Sequence, residues 1–117
     1  MKQIFIVSAF AISLLVFSNC SPGKKAAGKK IPKSTFVTNF SPLIMENCSP
    51  CHIPSKGGRK KSYDNYDNAK TDIDEMIRRI ELNPGDKEFM PFKKTVRLPD
   101  TTIAKFRKWR DDGLLEK

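Results

Sequence analysis

The chain has 117 residues, enough for one small domain, and 30% of them are charged. Its 22 lysines and arginines outnumber its 13 acidic residues, which gives a net charge of +9. Such a charge favours acidic partners, but the chain has no nucleic-acid recognition motif and its N-terminus predicts export, so nucleic acid is excluded as a partner.

The N-terminus predicts an exported protein with a signal peptide over residues 1–19. Lys2 precedes an apolar run over residues 4–17, which is too short to cross a bilayer and typical of a signal peptide. The run ends at Ser18-Asn19-Cys20, which resembles the lipobox of bacterial lipoproteins, although Asn19 replaces the usual Gly, Ala or Ser. That resemblance implies lipidation of Cys20 and an anchor on the periplasmic side of a bacterial membrane. A plain secretory signal is the main alternative, followed by an uncleaved anchor.

Residues 20–33 are predicted to be the lipidated N-terminus and a flexible tether. Between Ser21 and Lys33 the sequence contains five lysines and no acidic residue, and it has too few apolar residues to build a core. The folded domain is therefore expected over residues 34–117. A domain of this size is small for a core made of side chains alone.

The first two helices of this domain are predicted from caps and apolar spacing. Ser41 is a candidate helix cap, and Pro42 suits the first helical position. Prolines and glycines then predict a loop over residues 53–65. The clearest helix lies between Asp67 and Leu82, where apolar residues at 73, 76, 77 and 80 form one face and the acidic residues precede the arginines.

The last predicted helix runs from Pro99-Asp100 to Gly113, and Ile103, Phe106 and Trp109 recur three apart within it. No segment alternates polar and apolar residues over the length of a strand. The sequence therefore predicts an all-α domain with about three main helices.

The most informative motif is Cys48-Ser49-Pro50-Cys51-His52, which has the spacing and order of the attachment site for c-type haem. In such a site the two thiols bind the haem covalently, and the adjacent imidazole becomes an axial iron ligand. A redox dithiol and half of a zinc site are the alternatives. Zinc is disfavoured because His52 is the only histidine and Cys20 the only other cysteine.

A methionine is the expected sixth ligand of the iron, because a second histidine is absent. Met1 lies in the signal, Met45 lies in the helix of the cysteines, and Met76 lies in an apolar stripe. Met90 lies in an irregular segment well after the motif, where a loop can cover the opposite face of the ring. Packing of Met90 on the haem edge, without ligation, is the alternative.

These features together resemble a mono-haem class I cytochrome c, with one haem c per chain, over almost all of residues 34–117. The resemblance rests on the CSPCH motif, on Met90-Pro91, and on Leu98–Ile103 leading into a helix with Trp109 and Asp111-Asp112-Gly113. It implies that the first helix packs across the last, with Phe40 or Ile44 against Phe106 or Trp109. A single proline after Met90, where many relatives have two, is a departure.

The resemblance implies a one-electron carrier, not an enzyme, because an iron with two protein ligands has no open position. We expect acidic redox partners to dock on two basic clusters, although both could be ordinary solvated surface. The clusters consist of Lys56, Arg59, Lys60, Lys61, Lys93, Lys94 and Arg97.

If Met90 does not bind the iron, a gas or peroxide sensor or enzyme is the alternative. A haem-free structural lipoprotein is the third.

Overall fold

The structure is a computed structural model, and it describes residues 28–117. Residues 31–117 form one compact unit. The predicted signal peptide, Cys20 and the first part of the predicted tether lie outside the described residues. Within residues 28–117, no helix is long and apolar enough to cross a bilayer.

Three α-helices form the unit: α1 (Ser41–Asn47), α2 (Tyr66–Glu81) and α3 (Asp100–Asp111). A π-helical segment, Phe36–Phe40, precedes α1, and a 3₁₀ turn, Pro54–Lys56, lies in the loop between α1 and α2. An isolated bridge joins Thr35 to Leu115, and the described residues contain no strand. The prediction of an all-α domain with three main helices is confirmed.

The helical segment begins earlier than the sequence predicted. Thr35 caps it, because the Thr35 side chain accepts a hydrogen bond from the Thr38 N–H, whereas Ser41 already has helical backbone angles. The prediction of Ser41 as the cap is therefore wrong. Pro42 has no N–H to donate to Thr38, and the turn before it is widened, with the Ser41 N–H donating to the Phe36 carbonyl.

The bounds of α2 and α3 agree with the predicted helices to within one or two residues. The side chain of Asn65 caps α2 by accepting from the Asn68 N–H at 3.0 Å. The predicted apolar face of α2 is buried. Gly113 follows α3 with φ of +101°, a left-handed conformation that favours glycine. Pro99 precedes α3 without a capping side-chain bond.

An aromatic core joins the first and last helical segments. Phe40 stacks on Trp109 with ring centroids 4.0 Å apart, and it meets Phe106 edge-on at 5.1 Å. These contacts are the ones that the family resemblance implied. The C-terminal tail is bound to the same core, because the Trp109 indole donates to the Leu115 carbonyl and the Tyr66 hydroxyl to the Leu114 carbonyl. The core therefore fixes α1, whose C-terminal end leads into the cysteine motif.

Candidate haem-binding site

The CxxCH motif directly follows α1. The Cys48 N–H donates to the Ile44 carbonyl at 2.9 Å, and the His52 N–H donates to the Cys48 carbonyl at 3.1 Å, so the chain turns once more after the helix. Ile53, the next residue, is completely buried in the core. The motif is thus held at both ends, by α1 before it and by Ile53 after it.

Both cysteines of the motif are free thiols in different environments. Cys48 is half-buried against the core, and this burial raises the pKa of its thiol to about 12. Cys51 is exposed. A redox dithiol requires a reactive thiolate at an accessible cysteine, and half-buried Cys48, with its raised pKa, is a poor candidate for that role, whereas Cys51 is accessible.

The imidazole of His52 has one nitrogen already in use. Its Nδ1 lies 2.7 Å from the backbone carbonyl of Lys61. A carbonyl oxygen can only accept a hydrogen bond, so Nδ1 carries a proton, and in the neutral imidazole Nε2 is then the nitrogen with the lone pair. Metal-binding histidines commonly use one nitrogen in this way, and the bond fixes both the tautomer and the ring orientation.

The loop after the motif folds back onto it. The Lys60 N–H donates to the Cys51 carbonyl, and the Tyr63 N–H donates to the His52 carbonyl, both at 3.0 Å. Gly58 lies so close to the motif that an added Cβ would collide with the Pro50 carbonyl oxygen. Only glycine fits at this approach. We call residues 53–63 the motif loop.

Tyr63 and Asp72, which the sequence did not assign to the site, lie next to His52 together with Lys61, which was predicted only as a docking residue. The Tyr63 ring stacks on the imidazole with centroids 4.5 Å apart and an interplanar angle of 16°. The Tyr63 hydroxyl donates to Asp72 on α2 at 3.0 Å, and the Lys61 ammonium pairs with the same carboxylate at 2.8 Å. Burial first, and then the bond to Asp72, raises the pKa of Tyr63 to about 12. The Lys61 bond lowers the pKa of Asp72.

Met90 lies in the irregular stretch between α2 and α3, residues 82–99, which we call the methionine segment. It is half-buried against the core, and its N–H donates to the Arg79 carbonyl at 3.2 Å. Glu88, two residues earlier, forms ion pairs with Arg78 at 2.8 Å and Arg79 at 3.6 Å. The start of the segment is thus attached to the end of α2.

Beyond Met90 the methionine segment is largely open to solvent. Phe92 and Val96 expose 66% and 74% of their surface, in contrast to the buried Phe89. A groove of about 800 Å³ is lined by residues 84–90 and 92–95, including Met90, Phe89 and Phe92. Its lining does not include Cys48, Cys51 or His52. The structure therefore brings the motif residues together, and Met90 lines a groove that none of the motif residues line.

Comparison of the chain with models of protein families, with curated proteins and with solved structures gave no match. The chemistry of the site is therefore inferred from the residues that form it. In residues 28–117 no three His, Cys, Asp or Glu side chains form a group that could hold a metal ion.

The donor chemistry of the motif fits a covalently attached haem. Two free thiols, one exposed and one against the apolar core, adjoin an imidazole whose Nε2 is left for a metal. Exposed Phe92 and half-buried Met90 add apolar surface and a thioether on the methionine segment. These are the donors and the surface that c-type haem uses.

The predicted basic residues are all exposed, but two of them already form ion pairs. Lys61 pairs with Asp72, and Arg97 pairs with Asp100 at 2.8 Å. Lys93 lies over the ring of Phe92 at 5.5 Å. Within residues 28–117, the residues of the two clusters that form no salt bridge are Lys56, Arg59, Lys60, Lys93 and Lys94.

Proposed function

We propose that the protein is an exported one-electron carrier with one haem c per chain. Cys48 and Cys51 would bind the haem covalently, and His52 would bind the iron through Nε2. The observation that carries this proposal is the hydrogen bond from His52 Nδ1 to the Lys61 carbonyl, directly beside two free thiols. It leaves the imidazole in the tautomer and orientation of a metal ligand.

Met90 is the residue that we propose as the second axial ligand. Met76 is buried in the core and Met45 packs against the core from α1, whereas Met90 lies in a segment without regular structure. A haem iron with histidine and methionine ligands changes oxidation state by one electron and has no open position for a substrate. This ligand set supports a carrier and not an enzyme.

The proposed carrier would be held at the membrane by lipid on Cys20 and would meet its partners above the periplasmic surface. Lys56, Arg59 and Lys60 lie in the motif loop, and Lys93 and Lys94 lie in the methionine segment. Exposed lysines and arginines on both segments support docking of redox partners with acidic surfaces. Such encounters would weaken as salt screens the charges.

The experiment is expression of the full chain with a cytochrome c maturation system, followed by mass spectrometry. We expect the wild-type mass to increase by one haem, and the double variant Cys48→Ala/Cys51→Ala to show no such increase. Cys20→Ala, which alters the chain's other cysteine, is the matched control and should keep the haem while losing the lipid. An unmodified mass at Cys48 and Cys51 in the wild type would end the haem proposal and favour a haem-free lipoprotein.

Binding of a gas or peroxide at the iron is the second candidate. The observation that favours it is the open groove beside half-buried Met90, where Glu88 and Lys93 both have positive φ, at +75° and +64°. Left-handed backbone at non-glycine residues is strained, and the segment could release Met90 from the iron. A high-spin ferric spectrum in the wild type would support this second function over the carrier.

A further inference from the structure

The carboxylate of Asp72 joins two residues that both contact His52. It accepts the Tyr63 hydroxyl at 3.0 Å and pairs with the Lys61 ammonium at 2.8 Å. Tyr63 covers one face of the imidazole, and the Lys61 carbonyl accepts from Nδ1. Asp72 does not itself touch His52, but both of its partners do.

The position of Asp72 makes this connection rigid. It lies in the middle of α2, whose apolar face is buried on both sides of it at Ala69, Ile73 and Met76. The motif loop has no helix of its own apart from the 3₁₀ turn at its start, and its backbone reaches the motif through a few hydrogen bonds. Asp72 therefore attaches the far end of the loop to a helix that the core fixes.

We propose that Asp72 is a positioning residue for His52. By holding Lys61 and Tyr63 together, it keeps the Lys61 carbonyl on Nδ1 and the Tyr63 ring against the imidazole. The proposal rests on the proposed function, because it concerns the orientation of the iron ligand. A firm Nδ1 hydrogen bond makes the imidazole a stronger electron donor to iron, which favours the ferric state.

The test compares Asp72→Ala with the wild type in the haem-loaded full chain. Two properties are measured: the exchange rate of the His52 Nδ1 proton by NMR of the ferrous protein, and the midpoint potential. We expect exchange to become about tenfold faster and the ferrous-to-ferric ratio at a fixed potential to rise about threefold. Asp72→Glu should restore both values toward those of the wild type, because it retains the carboxylate.

Asp74→Ala is the matched control, since it removes the same charge from the same helix. The side chain of Asp74 is 81% exposed, and within residues 28–117 its one ion pair is with Arg110, at 3.4 Å. Tyr63→Phe is the milder variant if Asp72→Ala does not fold: it keeps the stacked ring, removes the bond to Asp72, and should speed exchange by a smaller factor. A purely structural role would lower the unfolding midpoint without moving the potential.

The outcomes separate this proposal from the proposed function. If haem is attached, and Asp72→Ala matches Asp74→Ala in potential and proton exchange, the positioning role is wrong while the carrier stands. If the wild type carries no haem, the proposed function fails, and the positioning role fails with it.

Discussion

The motif loop, which directly follows His52, and the methionine segment, which contains Met90, are held very differently. The motif loop is bound by backbone hydrogen bonds to Pro50, Cys51, His52 and Ile53 and by the side chains that meet at Asp72. The methionine segment is attached at its start, near Arg79, and at its end, where Arg97 donates to the Glu81 carbonyl and Leu98 packs against the core. Between these two ends, over residues 91–96, the one backbone bond among the described residues joins Lys94 to Pro91. The protein alone therefore holds His52 through several contacts, whereas the residues that follow Met90 have few contacts and need further ones to be held as firmly.

In the proposed carrier, those further contacts would come from the haem. Phe92 and Val96 expose apolar side chains that a folded protein normally covers, and both lie on the side of the segment beyond Met90. An apolar plate bound through the motif would cover such surface. The comparison therefore predicts that the motif loop beside His52 is rigid with or without haem. The methionine segment is expected to become rigid only when haem is bound.

The largest expected effect is at Phe89, the buried aromatic of the methionine segment. Phe89→Ala should lower the free energy of unfolding by about 3–4 kcal/mol, because it removes a ring that is only 6% exposed. Phe92→Ala is the matched control and, in the haem-free chain, should change it by less than about 0.5 kcal/mol. Urea unfolding of the two variants measures this. Equal losses would mean that the segment is not divided into a buried start and an exposed middle.

The next effect tests how tightly the motif loop fits. Gly58→Ala should cost about 2–3 kcal/mol, because its Cβ would collide with the backbone at Pro50, Cys51 and Ile53, which cannot easily move. At the neighbouring Gly57, with φ of +83° and open space around it, alanine should cost about 1 kcal/mol. Urea unfolding and haem content are measured together. A neutral Gly58→Ala variant would contradict the close approach of the loop to the motif.

Limited trypsin digestion compares the two regions directly. In the haem-free chain, cleavage at Lys93 and Lys94 should be about tenfold faster than at Lys60 and Lys61, because fewer hydrogen bonds must open. Mass spectrometry of the first fragments gives the ratio, with cuts before residue 34 left out. Attached haem should reduce the ratio, and Met90→Ala should restore it. Faster cleavage in the motif loop would reverse the comparison.

The smallest effect is a pH dependence at the attachment of the methionine segment. Hydrogen bonds from Arg78, and then from Arg79, lower the pKa of Glu75 from 4.5 to about 2. A lowered pKa stabilises the folded state above pH 4.5, and this stabilisation is lost as the pH falls from 4.5 toward 2. The effect is small because the pair is exposed and screened by salt.

Thermal unfolding between pH 5 and pH 2.5 at low salt measures this dependence. The wild type should lose more stability over that range than Glu75→Gln, and high salt should remove the difference. Glu46→Gln, an exposed change on α1, is the control and should follow the wild type. Identical curves for the wild type and Glu75→Gln would show that the arginine cluster contributes nothing.

The sequence predicted the parts of this structure that depend on local patterns. The apolar spacing of α2 and the glycine after α3 determine those helices almost alone, and the aromatic contacts of Phe40 followed from the family resemblance. The cap was missed because a further helical segment, which Thr35 caps and which buries Phe36 and Phe40, precedes Ser41. Serine before proline predicts a helix start at Ser41, but the helical segment that begins after Thr35 already includes this position.

The surroundings of His52 could not be predicted, because they form only when the loop closes. Tyr63 is eleven residues from His52 and Asp72 twenty, and neither belongs to a recognisable motif. Asp72 was noticed only as one of several acidic residues that suit the start of a helix. Gly58 was noticed only as a residue that ends regular structure, whereas its close approach to the motif is a tertiary contact.

The absorption spectrum of the ferric, haem-loaded protein tests the histidine and methionine ligation most directly. We expect a low-spin spectrum with the weak far-red band of methionine-bound ferric haem. The band should disappear in Met90→Ala and persist in Met76→Leu and Met45→Leu, the other two methionines that the structure describes. A high-spin spectrum in the wild type, or a far-red band that survives in Met90→Ala, would contradict the carrier with His52 and Met90 as its ligands.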